Sequence, residues 1–139
     1  MRFRIKKLSP DVTLPSYAHE DDAAMDVCAN EDYELKPGER HHFGLGFSAE
    51  FSAGYVCHVW DRGGLASKQG LTTLGGVIDA GYRGEYAVVL LNTADKPVQI
   101  KKGDRIAQMV IQKVEHVDIE ETDTLNDSSR GKGWGSSGR

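Results

Sequence analysis

Short runs of alternating apolar and polar residues, closed off every few positions by Gly, Pro, Asp or Asn, constrain this chain more than any other feature. Period-two alternation places apolar side chains on one face of a strand, whereas an amphipathic helix needs them three and four residues apart. The helical pattern is hard to find here. Strands are predicted from Phe3 to Lys6, Met25 to Cys28, Tyr33 to Leu35, His41 to Phe51 and Tyr55 to Trp60. Four more are predicted from Gly76 to Asp79, Tyr86 to Asn92, Val98 to Ile100 and Ile106 to Val117. Pro37-Gly38, Ser52-Ala53-Gly54, Asp95-Lys96-Pro97 and Lys102-Gly103-Asp104 are the turn chemistry between them. Many short strands with such punctuation predict an all-β sandwich, jelly roll or small barrel. One short helix is expected over Leu65 to Gln69, with Gly70 to stop it.

A length of 139 residues with 39% hydrophobic content fills one core and leaves little for a second. The net charge of −4 gives no basic footprint, so neither nucleic acid nor an anionic membrane surface is an expected partner. Cys28 and Cys57 lack a short metal or redox spacing and are expected as core fillers in a reducing compartment. The charged start, MRFRIKKLSP, has no apolar run suited to a signal peptide or a membrane span. A soluble, cytoplasmic protein is the expectation.

Three segments depart from this core pattern. Asn126 to Arg139 is rich in Ser and Gly, with Trp134 as its one large apolar residue. Composition leaves two readings open: a disordered tail, or an arm that orders on a ligand through Gly amides, the Arg130 fork and the Trp134 ring. The second segment, Asp61-Arg62-Gly63-Gly64-Leu65-Ala66-Ser67-Lys68, sets two glycines at a helix start. That is either a plain turn or an anion site reinforced by Arg62 and Lys68. The third, Gly75-Gly76-Val77-Ile78-Asp79-Ala80-Gly81-Tyr82-Arg83-Gly84-Glu85, ends an apolar strand in a carboxylate. Asp79 there is either a turn-former or a group that accepts a proton from an attacking water, with Tyr82 able to face a sugar.

Taken in order, five motifs resemble those of the trimeric dUTPase (deoxyuridine triphosphatase) family. They are Ala24-Met25-Asp26-Val27, Arg62-Gly63-Gly64-Leu65-Ala66, Gly76-Val77-Ile78-Asp79 through Glu85, Gly103-Asp104-Arg105-Ile106-Ala107-Gln108, and Arg130-Gly131-Lys132-Gly133-Trp134-Gly135-Ser136-Ser137-Gly138. The resemblance implies a distorted jelly-roll, β-barrel-like core over residues 1–125, one short helix, and a flexible arm at 126–139 that closes the site. It implies hydrolysis of dUTP to dUMP and pyrophosphate by water attack at the α-phosphorus, in a homotrimer with shared sites. Asp79 would orient the water, Tyr82 would pack beneath the deoxyribose, and the backbone of Gly76, Val77 and Ile78 would read uracil. Arg62, the Gly63 and Gly64 amides and Gln108 would surround the triphosphate, and Asp26 would hold Mg²⁺ through its water shell. Arg130 would grip the γ-phosphate and Trp134 would stack on the base.

Four positions depart from the family pattern. Gly63 stands where Ser is usual, removing a hydroxyl from the phosphates, and Asp61 replaces Pro, adding negative charge there unless it pairs with Arg62 or Lys68. The fifth motif has Trp134 for Phe and one Gly fewer before it, and Ala24-Met25 replaces Gly-Tyr. Two other readings share the fold: a dCTP deaminase, which resembles this pattern but carries a Glu where this chain has Val89, and a non-catalytic nucleotide-binding regulator, to which only Gly63 lends weight.

Overall fold

The computed structural model describes residues 1–129. Eleven strands and one helix are found there: β1 (Arg4–Lys7), β2 (Met25–Cys28), β3 (Tyr33–Leu35), β4 (Arg40–Gly44), β5 (Phe47–Glu50), β6 (Tyr55–Trp60), α1 (Gly63–Gln69), β7 (Leu71–Leu74), β8 (Val77–Asp79), β9 (Ala87–Asn92), β10 (Val98–Ile100) and β11 (Arg105–Lys113). They form an all-β, jelly-roll-like fold with one short helix: the alternation predicts the all-β class, and the motif resemblance implies the jelly roll. The strands combine as β2-β11-β6-β8, β4-β9-β7, β1-β5 and β10-β3, with antiparallel pairing throughout.

In β9 the alternation is regular: Val88, Leu90 and Asn92 point into the core while Ala87, Val89 and Leu91 are half-buried. β11 breaks the rule, burying both Ile106 and Ala107, because its register with β2 shifts between Arg105 and Ala107. Such a bulge redirects one side chain without ending the strand. The core gathers Phe43, Phe47, Leu35, Leu45, Leu71, Leu90, Met109 and Tyr86. Asn92, its buried polar residue, donates to Leu35 O at 3.0 Å and Lys96 O at 2.8 Å and accepts from Ala94 N at 2.9 Å. Every polar atom of that side chain is therefore satisfied, as burial demands.

Three expectations need correction. The stretch from His41 to Phe51 is two strands, split at Gly46, whose φ of 71° and close approach to Val12 and Asn30 turn the chain. Strand β7 is masked in the sequence by its two threonines and the glycines on either side. β11 stops at Lys113, where Val114 N bonds Gly54 O at 3.0 Å, and residues 114–129 continue without strand or helix. The helix begins two residues earlier than expected and ends on Gly70 at φ 66°, the left-handed cap its sequence predicts. Among the described residues, no helix is long and apolar enough to cross a membrane.

Candidate active site

Two concave regions hold most of the described residues singled out by sequence, and both border the sheet β2-β11-β6-β8. The first is a cavity of about 280 Å³ beside β8. Gly75 and Gly76, at φ 71° and 96°, swing the chain from β7 into β8, a backbone only Gly adopts without strain. Gly76 O then accepts from Val59 N at 2.8 Å, and a Cβ at Gly76 would sit 2.6 Å from Val59 O. The β6 edge fixes the register of β8, pairing Val77 with His58, Ile78 with Cys57 and Asp79 with Val56. Beyond β8, Tyr82 N bonds Asp79 O at 3.0 Å and Arg83 Nη1 donates to Ala80 O at 2.6 Å and Tyr82 O at 2.9 Å. The Tyr82 hydroxyl donates to Glu85 O at 3.0 Å. Asp79 is exposed on this rigid turn, and its carboxylate has no hydrogen-bond or ion-pair partner among the described residues. A carboxylate so placed is available to take a proton from water, beside a ring able to face a sugar and main chain able to read a base edge.

The second region is a cleft at the other edge of the same sheet. Pairing across β2, β11 and β6 sets Asp26 opposite Gln108 and Gln108 opposite Trp60, so Asp61 and Arg62 emerge next to Asp26. Arg62 Nε lies 2.9 Å from Asp26 Oδ1, and Arg105 Nη1 lies 3.2 Å from Oδ2. Arg62 Nη1 also donates to Arg105 O at 3.3 Å. In α1 the first intrahelical donors are Leu65 N and Ala66 N, both to Arg62 O, at 2.9 and 3.0 Å. The Gly63 and Gly64 amides precede that ladder and lie at the cleft wall with His19 and Asp22. Two planar guanidinium groups and glycine amides suit an anion with several oxygens.

The structure thus brings Asp26, Arg62, Gly63, Gly64 and Gln108 together in the cleft, and Gly76, Val77, Ile78, Asp79 and Tyr82 together in the cavity. The two share no lining residue within the chain. Arg130 and Trp134 lie outside the described residues. Lys68 lines neither region: in the last turn of α1 it borders a separate depression with Gln69 and Asp95. Asp61 pairs with neither Arg62 nor Lys68, because Thr72 and Thr73 of β7 occupy its carboxylate.

Arg105 is the functional candidate that sequence reasoning missed. It sits inside the fourth motif, but only the β2–β11 register reveals that it shares Asp26 with Arg62. In the cavity, His42, Val89 and Glu85 are further lining residues. Glu85 is engaged structurally, accepting from Gly46 N at 2.8 Å. Cys57 is fully buried, and burial pushes its thiol up to about 12, in keeping with a core filler. Cys28 is only half-buried, on the outer strand β2, with its thiol raised first by burial and then by Asp26.

Known proteins resemble the chain in both sequence and fold. The family model described as dUTPase matches residues 11–138. The chain is 47% identical to a deoxyuridine 5'-triphosphate nucleotidohydrolase of Thermobifida fusca (strain YX), over 99% of this chain and 79% of that one. A dUTPase of Staphylococcus bacteriophage 80alpha, solved with dUPNHPP, superposes with a TM-score of 0.91 at 27% identity, over 99% of each chain. A mutant dUTPase from phage phi11 of S. aureus, described as coordinating a structural Mg(II) ion, shares the fold with a TM-score of 0.85 at 24% identity, over 91% of this chain and 100% of that one.

Proposed function

The chain belongs to the dUTPase family, and from that membership we infer that it hydrolyses dUTP to dUMP and pyrophosphate, with Asp79 orienting the attacking water. The observation that carries the assignment of roles is the division of the site between the two edges of one sheet. A cavity with a free carboxylate, a tyrosine ring and glycine-shaped main chain suits a deoxynucleoside. A cleft with Arg62, Arg105 and Gln108 around Asp26 suits its phosphates. Water attacks the α-phosphorus, Asp79 accepts the developing proton, and the P–O bond to the β-phosphate breaks with its electrons leaving on pyrophosphate. The chain's contribution is positioning and charge stabilisation, with no covalent intermediate.

Cavity and cleft share no lining residue within one chain, which is compatible with the homotrimer of shared sites that the family resemblance implies. The arm, residues 126–139, would close over the site, with Arg130 on the γ-phosphate and Trp134 on uracil. A free Cys28 and a free Cys57 are compatible with a reducing, cytoplasmic setting.

The donor set limits how Mg²⁺ can be held. Among the described residues no group of three or more His, Cys, Asp or Glu side chains is suited to a metal, so a cage of protein ligands is not supported. An ion that keeps its waters and needs one carboxylate beside phosphates fits Asp26. Bound there, Mg²⁺ would neutralise phosphate charge. Arg62 and Arg105, which hold that carboxylate, would then be shared between it and the phosphate oxygens.

The deaminase reading requires a carboxylate where Val89 lines the cavity, and valine can neither donate nor accept the proton that deamination at C4 demands. Pyrophosphate release from dUTP, dCTP, dTTP and UTP with Mg²⁺ tests the proposal. Release is expected from dUTP, falling roughly 10²- to 10⁴-fold in Asp79→Asn. An unchanged rate in that variant would remove Asp79 from the chemistry. Turnover by the wild type would set aside a purely regulatory role.

A further inference from the structure

Asp61 immediately precedes Arg62, yet its side chain does not line the phosphate cleft. Its carboxylate takes three donors from β7: Thr73 N at 2.5 Å and the Thr73 hydroxyl at 2.8 Å on Oδ1, and the Thr72 hydroxyl at 2.9 Å on Oδ2. Its main-chain carbonyl takes a fourth, from Gln108 Nε2 at 2.7 Å. Strand β7 is the outer strand of β4-β9-β7, and an outer strand has main-chain donors without a partner strand. Asp61 takes one of them. Gln108 belongs to β11, in the other sheet, so a single residue ties the two sheets together at the point where Arg62 and α1 begin.

We propose that Asp61 is a positioning residue for the triphosphate, fixing the backbone from which Arg62 reaches the cleft and holding Gln108 beside it. The proposal rests on the reading of the cleft as the phosphate half of the site. An ionised carboxylate forms stronger bonds to these donors than a neutral oxygen would. The same bonds keep its charge directed at β7 and off the phosphates. Displacing a charged donor by an ångström is enough to cost up to about a hundredfold in rate, and weakening one charge-assisted bond costs about tenfold in affinity.

The test compares ligands that differ only in phosphate: calorimetric Kd values for deoxyuridine and for dUpNHpp, on the wild type and on Asp61→Ala, Asp61→Asn and Thr72→Val/Thr73→Val. In Asp61→Ala the affinity for dUpNHpp should fall roughly tenfold while that for deoxyuridine stays within about twofold. Asp61→Asn keeps Oδ1 for Thr73 and can donate to the Thr72 hydroxyl, so it should recover most of the loss. The threonine pair should lose part of it. Equal losses for both ligands would reduce Asp61 to a purely structural role, and unchanged dUpNHpp binding would also overturn the proposal. Should Asp61→Ala fail to fold, Asp61→Asn and the threonine variant, checked by thermal melting, carry the same comparison. Since the readout is binding, it stands apart from turnover of dUTP by the wild type, which reports on the proposed activity.

Discussion

The cavity beside β8 and the cleft around Asp26 border opposite edges of one sheet but are built by different means. The cavity is shaped by main chain: two glycines at positive φ, the Val59 to Gly76 bond and the closed turn at Asp79 leave its carboxylate unengaged and its walls fixed. The cleft is shaped by side-chain charge, and its charges are already satisfied by one another, with Asp26 held by two arginines. A rigid, uncommitted site selects by shape, because nothing in it has to move for the right ligand. A site of paired charges binds by exchange, so its net gain is the difference between phosphate and Asp26 as a partner for the same guanidinium groups. Discrimination among nucleosides should therefore reside in the cavity and phosphate affinity in the cleft.

Replacing Gly76 by Ala should break this division most severely. Positive φ alone costs a non-glycine residue about 1 to 3 kcal/mol, and the added Cβ would meet main chain at Val59 O. Since backbone cannot step aside as a flexible side chain can, β8 must shift, carrying Asp79 with it. A lower melting temperature, turnover reduced roughly a hundredfold and a narrowed preference for dUTP over UTP are expected in steady-state assays. Turnover and preference both retained would mean the cavity is not shaped by this turn.

Arg105→Ala should sharpen the same comparison from the other side, with a smaller effect. One charge-assisted bond is worth roughly 1.5 to 3 kcal/mol, but Arg105 gives up its bond to Asp26 to make it, so KM for dUTP should rise by up to about tenfold. Removing one positive charge should also flatten the dependence of kcat/KM on salt, because less of the attraction remains to be screened. The ratio of dUTP to UTP turnover should not move. A loss of that preference in Arg105→Ala would show that the two regions act as one.

The difference between the regions also explains how much is legible without the fold. Local chemistry is enough for the strands whose alternation is regular, for the helix stopped at Gly70, and for the turn at Asp79, since each is decided within a few residues. The Gly75-Gly76 pair is visible as a demand for positive φ. The partners of Asp26 are not legible, because the β2–β11–β6 register joins residues 26, 108 and 60, and no local rule fixes that alignment. Arg105 escapes sequence reasoning for this reason, and Lys68 is misplaced by it because proximity along a helix does not say which way a side chain faces. Asp61 poses a sharper problem. Its charge looks unfavourable beside a phosphate until β7, itself masked by polar threonines, supplies the donors.

The smallest expected effect is on acid stability, and it arises from those donors. Burial raises the Asp61 carboxyl, but the Thr73 amide and the Thr73 and Thr72 hydroxyls outweigh it and hold the group below its ordinary value of 3.8. A carboxyl depressed in the folded state stabilises it at every pH above the unfolded value, and that contribution disappears as pH falls through the lower folded value. The wild type should therefore lose stability more steeply than Asp61→Asn as pH falls below about 5, while the gap between them is constant from there to neutrality. Asp11, Asp32 and Glu39 are also held low, by Lys102, by the Lys102 amide and by Tyr33 respectively, but they are common to both proteins and cancel in the difference. Chemical denaturation at a series of pH values measures it. Parallel curves through the acid range would mean that the charge of the Asp61 carboxylate contributes nothing to the tie between the sheets.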